Sequence, residues 1–257
     1  EPNAGFAFKE ISPLSYALTQ PGVILHYVRL SLWPHPLVFD YAWPVARTID
    51  AILVPALTIG CLMLVTLWAL RRQPPLGFLG AWFFVTLAPT SSIIPIEDLA
   101  FEYRMYLPLA AVVSLMVLGG WELLRRSPLP GRLPQGLAVS ITTAIALTFG
   151  ILTIQRNADY RSELALWSDV VAKRPSNPRA HSNLGWALAE QGRLDAAAAA
   201  YQKALRLKPD FAEAHNGLGL IVAQQGTLDE AIARYTEALR IDPHYAEAHN
   251  NLGTVLL

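Results

Sequence analysis

The 257-residue chain has a single cysteine and no excess of either charge. One thiol, at Cys61, excludes an internal disulfide framework and a zinc site built from several cysteines. Lysine plus arginine and aspartate plus glutamate number 20 each, a balance that argues neither for nor against nucleic acid, and no nucleic-acid partner is predicted. Scattered histidines such as His26 and His35 lack metal-ligand spacing, so neither a metal site nor a bound cofactor is predicted.

The scarcity of charge is confined to the first part of the chain. Residues 1–154 contain 17 charged side chains, about 11% of that stretch, whereas residues 155–257 contain 23, about 22%. The second value is that of an ordinary soluble domain, and the first is typical of a chain partly solvated by lipid. The sequence therefore predicts a membrane block that ends near Gln155 and a water-soluble block after it.

Four long runs almost without charge lie in residues 49–155, and each is predicted to be a transmembrane helix. The predicted spans are about 51–70, 76–96, 105–124 and 134–154. At 1.5 Å per residue, about 20 helical residues cross a hydrocarbon core of about 30 Å. Buried helices of a large soluble protein are the alternative, but four such runs in so short a stretch favour a polytopic membrane block.

Basic residues predict how these helices cross the membrane. Two arginines lie between the first and second runs, and three lie between the third and fourth. Placing both basic loops in the cytoplasm puts the acidic loop 97–104, the N-terminal segment and the residues after 155 on the opposite side. The chain is thus predicted to be a multi-pass integral membrane protein, bounded by lipid, whose C-terminal block lies in a periplasm or an endoplasmic reticulum lumen. The five arginines are Arg71, Arg72, Arg125, Arg126 and Arg132.

Residues 1–48 are predicted to form an extracytoplasmic segment of one or two broken, interfacial or re-entrant helices. Pro21 and Gly22 interrupt its apolar stretch, and interrupted backbone is tolerated at membrane depth only against protein or a cavity. Trp33 suits the headgroup level. A fifth span at residues 15–32 is the alternative, although Arg29 counts against it.

The loop between the second and third runs concentrates charge beside two membrane helices. Ionisable groups in that position are costly unless paired or wetted, so Glu102 and Arg104 are candidate functional residues. An arginine there can clamp a lipid-linked phosphate bidentately, and a carboxylate can orient it. Arg29 could join such a site from the N-terminal segment. The alternative is a solvated loop in which Arg104 is an interfacial anchor.

A 34-residue period organises the end of the chain. It predicts an α-solenoid of two full repeats, 178–211 and 212–245, and an incomplete one, 246–257. A capping half-repeat is predicted upstream, in residues 156–177. The pattern resembles the tetratricopeptide repeat, in which a small residue lies where two helices cross and proline ends the second helix. Its recurring residues are His181, His215 and His249; Gly192 and Gly226; Ala197 and Ala231; Tyr201 and Tyr235; and Pro209 and Pro243.

Asparagines on the first helix of each repeat are candidates for binding an acceptor segment. Asn183 and Asn251 precede a Leu-Gly pair on the face that lines the concave groove in such repeats. Asn216 is a less well-placed candidate, and Gly217 interrupts the series in the middle repeat. An amide offers both a donor and an acceptor to an extended peptide backbone. The alternative is a solvated helix face. The three repeat histidines are too far apart to share an ion and are predicted to pack between helices.

The order of these motifs resembles the C-terminal part of the transmembrane and tetratricopeptide-repeat O-mannosyltransferases and their bacterial relatives. The resemblance rests on the extracytoplasmic loop, followed by the repeats, and within the loop on Glu102, Arg104, Tyr106, Leu107 and Pro108. It implies a C-type glycosyltransferase fold and a polyprenyl-phosphate sugar as donor. It also implies that Tyr106 belongs to the donor site and that the repeats present an acceptor protein outside the cytoplasm.

The resemblance predicts the C-terminal portion of a membrane glycosyltransferase that moves a hexose, by family mannose, to Ser or Thr of a protein. The family's catalytic acid lies in the first extracytoplasmic loop, and nothing here corresponds to it. The chain is therefore expected to be a piece of a longer protein and to be inactive alone. Two alternatives stay open: a non-enzymatic membrane scaffold whose repeats recruit envelope proteins, and a polysaccharide polymerase or ligase with a repeat appendage.

Overall fold

A computed structural model describes residues 12–33, 35–89, 91, 106–126, 143–144, 147–148, 151 and 153–257. Its regular elements are α-helices, which confirms the all-α class for these residues. The chain divides into two compact units, residues 1–138 and residues 139–257. The first contains α1 (Pro13–Leu32), α2 (Ile49–Arg72), α3 (Pro74–Leu87) and α4 (Tyr106–Arg126). The second contains α5 (residues 153–159), α6 (Glu163–Lys173), α7 (Pro178–Glu190), α8 (Leu194–Leu207), α9 (Ala212–Gln224), α10 (Leu228–Ile241) and α11 (Ala246–Leu256).

The first helix, α1, runs without interruption through Pro21, where the sequence predicts broken helices. Proline in a helix interior removes one hydrogen bond and costs about 3 kcal/mol. Against this cost stands a buried face that includes Tyr16, Val23 and Tyr27, all of them fully buried. Each such side chain contributes about 1.5–3 kcal/mol on burial, so the face outweighs the lost bond.

The four predicted membrane spans agree with the observed helices to different degrees. Among the described residues, α2 is the one helix both long enough and apolar enough to cross a membrane, and its apolar side chains are almost all exposed. α3 begins where the second span is predicted but ends at Leu87, and α4 covers the range of the third. Most of the fourth predicted span lies outside the described residues. One candidate span is thus shown, and the polytopic block stays a prediction.

Close backbone packing joins α2 to α3. The two helices are separated by Gln73 alone, whose backbone N–H bonds to the carbonyl of Ala69. A Cβ built on Gly77 of α3 would overlap the backbone of Leu70 on α2. One turn later, a Cβ on Gly80 would lie 2.6 Å from Oγ1 of Thr66. The absence of side chains at the two glycines lets the helices approach this closely.

The second unit opens with an ionic network between α5 and α6. Arg156 Nη1 donates to Asp159 at 2.9 Å and to Asp169 at 2.8 Å. Lys173 Nζ lies 2.7 Å from the other oxygen of Asp169. The guanidinium of Arg156 also lies 5.0 Å from the ring centroid of Tyr160. α6 therefore carries the carboxylate that holds α5 in place, and it occupies the range of the predicted capping half-repeat.

Helix pairs α7–α8 and α9–α10, followed by α11, form the repeats. Gly192 and Gly226 end the first helix of each pair with φ of +72° and +85°, a conformation that side chains disfavour. Ala197 and Ala231 are fully buried at the crossings, as the period predicts. The tetratricopeptide-type architecture predicted for this block is confirmed in these helices.

Candidate functional site

A histidine joins each repeat to the one before it. His181 Nε2 lies 2.9 Å from the carbonyl of Pro175, and the next two repeats show the same contact at 3.0 Å. A carbonyl can only accept, so Nε2 carries the proton in each case. His181 and His215 are buried between helices, as predicted, whereas His249 is exposed. The described residues contain no cluster able to hold a metal ion. The two further pairs are His215 with Pro209 and His249 with Pro243.

Tyr201 explains why the asparagine series stops in the middle repeat. Its buried ring lies 3.1 Å from the point where a Cβ would be on Gly185, in its own repeat. A Cβ on Gly217, in the next repeat, would overlap that ring. Burial raises the pKa of Tyr201 to about 12, as expected for a phenol removed from water. An asparagine at position 217 would therefore need the volume that the tyrosine occupies.

Alanine at position 217 is expected to destabilise the solenoid by about 1–3 kcal/mol, because the new Cβ must displace a buried ring. Gly253 supplies a matched control, since a Cβ there meets nothing within 4 Å. Gly253→Ala is expected to stabilise α11 by about 0.5–1 kcal/mol through the helix preference of alanine. Thermal unfolding of the two variants checks the prediction, and equal shifts of the same sign would contradict it.

The three predicted asparagines are not equivalent in the structure. Asn216 is buried, its Nδ2 donates to the hydroxyl of Tyr245 at 3.5 Å, and its Oδ1 accepts from Nδ2 of Asn251 at 2.9 Å. The Tyr245 hydroxyl in turn donates to Glu247 at 3.1 Å, and burial raises the pKa of that hydroxyl. The amide of Asn216 is thus bonded at both ends within the chain. Asn183 and Asn251 are half-buried and stay the groove candidates, and Asn251 already uses one Nδ2 hydrogen on Asn216.

Two apolar side chains beside these asparagines were not predicted from the sequence as binding residues. Trp186 and Leu220 lie 34 residues apart, at one register position of α7 and α9, and are 47% and 39% exposed. Each lies three residues after the asparagine position, so the two sets share a helix face. The register itself was the available signal, because neither position belongs to the residues that define the repeat.

Exposed carboxylates complete this face of the first helices. Glu190, Glu213 and Glu247 are exposed and lie on α7, α9 and α11. A polypeptide laid along these helices would meet amides that bond its backbone, apolar surface that binds a side chain, and carboxylates that favour basic residues. We call Asn183, Trp186, Leu220 and Asn251 the groove set.

The structure describes only some of the predicted donor residues. Glu102 and Arg104 lie outside the described residues, and Tyr106 begins α4 without its side chain being described. Arg29 lies in the last turn of α1, is exposed, and donates from Nη2 to the carbonyl of His35 at 3.4 Å. The donor site therefore stays a prediction.

Comparison with known proteins finds one family model and two curated relatives that match parts of the chain. The family model described as TPR repeat matches residues 185–226 and 221–257. Protein O-mannosyl-transferase Tmtc3 of Drosophila melanogaster is 28% identical over 128 residues, which is 49% of this chain and 14% of that protein. Protein O-mannosyl-transferase Tmtc2 of the same fly is 32% identical over 107 residues, 42% of this chain and 11% of that protein.

Part of the chain is similar to a solved structure. The crystal structure of MamA is 27% identical, with a TM-score of 0.34, and the match covers 36% of this chain and 54% of that one. The chain spans only about a seventh or less of the length of the two curated relatives. It contains TPR repeats and is distantly homologous to two O-mannosyl-transferases over about half its length.

Proposed function

We propose that this chain is part of a membrane glycosyltransferase whose repeats bind the acceptor polypeptide. The distant similarity to two protein O-mannosyl-transferases carries the proposal. The groove set supports its second half, because exposed apolar side chains recur at the repeat period on the helix face that also carries the half-buried amides of Asn183 and Asn251. The donor is a polyprenyl-phosphate sugar, by family mannose, and the acceptor atom is the hydroxyl oxygen of Ser or Thr.

In this proposal, residues 49–155 supply four membrane spans and the repeats lie outside the cytoplasm. Residues 1–48 lie against the outer face of the bilayer, and residues 156–177 cap the solenoid. The α2 helix supports the membrane assignment by its length and its exposed apolar side chains. The arginines in its last turn, Arg71 and Arg72, support a cytoplasmic end for α2.

Glu102, Arg104, Tyr106 and Arg29 are proposed to hold the donor phosphate. An arginine pairs with phosphate through parallel N–H donors, and that pairing strengthens as the phosphate gains charge when the sugar leaves. The glycosidic bond to phosphate breaks, a bond to the acceptor oxygen forms, and the hydroxyl proton passes to a base outside this chain. The chain is accordingly proposed to be inactive alone.

Sugar transfer by the full-length protein tests the donor assignment. With a radiolabelled mannosyl-phosphoryl polyprenol, Glu102→Gln and Arg104→Ala are each expected to lower transfer by about a hundredfold or more, because a charge-assisted contact to the reacting phosphate is lost. Arg71→Ala is the control. In this proposal Arg71 lies on the cytoplasmic side of the membrane, away from the loop 97–104, so the variant is expected to retain activity. Wild-type turnover in both loop variants would overturn the assignment.

Acceptor binding tests the groove set separately. Trp186→Ala is expected to raise the KM for a protein acceptor about tenfold with little change in kcat, since truncating an exposed aromatic anchor costs about 1–2 kcal/mol of binding. Leu228→Ala is the matched control, because Leu228 is comparably exposed but lies on a second helix. An unchanged KM in Trp186→Ala would remove the repeats from acceptor recognition.

A scaffold without transferase activity is the second candidate. It is favoured by the fact that the TPR family match falls entirely within residues 185–257. Binding of an envelope protein that depends on Trp186, in a full-length protein without transfer to any hydroxyl, would support it over the enzyme.

A further inference from the structure

The first unit contains an open cleft of about 480 Å³ beside α2. Thr19, Gly22 and Leu25 of α1, spaced three residues apart, form one wall. The extended residues 43–48 and the first turns of α2 form the others. Arg29, the donor candidate whose side chain the structure describes, does not line this cleft.

The walls of the cleft are held in place by specific contacts. The Ala46 backbone N–H donates to Thr19 Oγ1 at 3.0 Å, and that hydroxyl donates to the Ser15 carbonyl at 2.7 Å. The ring centroid of Trp43 lies 4.7 Å from that of His26 on α1. A Cβ built on Gly22 meets nothing within 4 Å, so the space beside this glycine is open.

The lining combines apolar surface with one cation. Thr48 uses its Oγ1 to cap α2, accepting the Ala51 N–H at 3.4 Å, and the Thr19 hydroxyl is already bonded. Arg47 is exposed, and no acidic residue within the described part of the chain forms an ion pair with it. The described lining residues include no carboxylate, which disfavours a cationic or zwitterionic headgroup.

The cleft lies at the start of the helix that qualifies as a membrane span. Leu53, Val54 and Leu57, in the first turns of α2, are exposed apolar side chains suited to lipid. With these residues in hydrocarbon, Arg47 lies at the level of lipid phosphates. Guanidinium binds phosphate through a fork of N–H donors and is more weakly hydrated than ammonium, so it suits this level.

We propose that the cleft binds an anionic glycerophospholipid, with its phosphate on Arg47 and one acyl chain along Gly22 and Leu25. A bulk phospholipid is favoured over the polyprenyl-phosphate donor because Arg29, the donor candidate whose side chain the structure describes, does not line the cleft. The inference requires α2 to lie in a membrane and does not depend on sugar transfer.

Native mass spectrometry of the full-length protein tests the proposal. The protein is reconstituted with equal phosphatidylglycerol and phosphatidylcholine and then delipidated. Wild type is expected to retain a single phosphatidylglycerol. Arg47→Gln is expected to lower the preference for phosphatidylglycerol about tenfold, since a charged hydrogen bond contributes about 1.5–3 kcal/mol. Gly22→Leu, which fills the cleft with a good helix former, is expected to abolish retention of either lipid.

Two substitutions serve as matched controls. Gly60→Leu adds the same side chain to another open glycine, on α2 away from the cleft, and Arg71→Gln removes a charge at the other end of that helix. Both are expected to retain the lipid. Thermal unfolding of each variant checks that the fold is intact, and Arg47 is exposed, so its replacement leaves the core unchanged.

Three results would overturn the proposal. Retention of phosphatidylglycerol by both Arg47→Gln and Gly22→Leu would show that the lipid binds elsewhere. Equal retention of phosphatidylcholine by wild type would remove the role of the cation. Displacement of phosphatidylglycerol by an added polyprenyl phosphate at lower concentration would assign the cleft to the sugar carrier instead.

Discussion

Replacement of Asp169 by alanine is expected to release α5 from α6 and to cost about 2–3 kcal/mol. Asp169 accepts from Arg156 at 2.8 Å and pairs with Lys173 at 2.7 Å. The side chains of Arg156 and Asp169 are only 11% and 17% exposed, so the cations left behind are poorly solvated. Arg156 keeps its contact with Asp159, but Arg156 and Lys173 both lose a carboxylate that is shielded from water. Removing one partner of a shielded pair costs more than the pair itself contributes, because the remaining charge loses a hydrogen-bond partner that water replaces poorly.

Hydrogen exchange read by mass spectrometry measures this release directly. Amides of residues 153–173 are expected to exchange faster in Asp169→Ala, while those of α9 and α10 keep their protection. Asp169→Asn is expected to show a smaller effect, because the amide keeps the shape of the side chain and one of its two acceptor oxygens. Unchanged exchange in α5 would show that the network does not hold the two helices together.

Glu237 supplies the matched control for this prediction. It makes three contacts with Arg240, at 2.7 and 3.0 Å, which is more than Asp169 makes with Arg156. The hydrogen bond from Arg240 lowers the pKa of Glu237. Both groups are solvent-exposed, and ion pairs in water contribute little. Glu237→Ala is therefore expected to leave stability almost unchanged despite its better geometry.

Alanine at Gly77 is expected to be among the most damaging single substitutions in the first unit. The added Cβ would overlap the backbone of Leu70, and its position would lie 2.7 Å from the carbonyl carbon of Ala69. A helix backbone cannot rotate away as a side-chain end can, so α3 must shift along its whole length. The expected cost lies at the upper end of the 1–3 kcal/mol that overpacking typically causes, or about 3 kcal/mol.

Unfolding of the full-length protein in detergent measures this effect. Gly60→Ala is the control, since Gly60 lies on α2 and a Cβ there meets nothing within 4 Å. That change is expected to be neutral or slightly stabilising, because alanine favours helix over glycine. Wild-type stability of Gly77→Ala would mean that α2 and α3 do not pack as closely as these contacts require.

Periodic features of this protein were predictable from sequence. The 34-residue spacing predicted the paired helices of the repeats, and Gly192 and Gly226 marked their turns, because a positive φ leaves few residues other than glycine. Pro209 and Pro243 marked the ends of second helices, since proline cannot continue a hydrogen-bond ladder. Local rules of this kind act within a few residues and can be read from one chain.

Contacts across helices were not predictable in the same way. Asn216 was predicted as a less well-placed groove candidate than Asn251, but the sequence did not show that Asn216 is buried and bonded on both sides, one of its partners being Asn251. The exposure of Trp186 was not anticipated, because a tryptophan in a helical repeat is usually expected in the core. Helix α1 is continuous although Pro21 predicts a break. The stabilisation that offsets the proline comes from burial of one helix face against other parts of the unit, which the local sequence does not show.

The sequence by itself determined the all-α class, the TPR repeats and their turns, because these follow from period, glycine and proline. It also determined that residues 49–72 are apolar enough to cross a membrane. Tertiary structure decided which repeat residues stay available to a partner, because Tyr201 fills the space beside Gly217 and Tyr245 engages Asn216. It also decided that Arg47 borders a cleft, since that cleft exists only where α1, residues 43–48 and α2 meet.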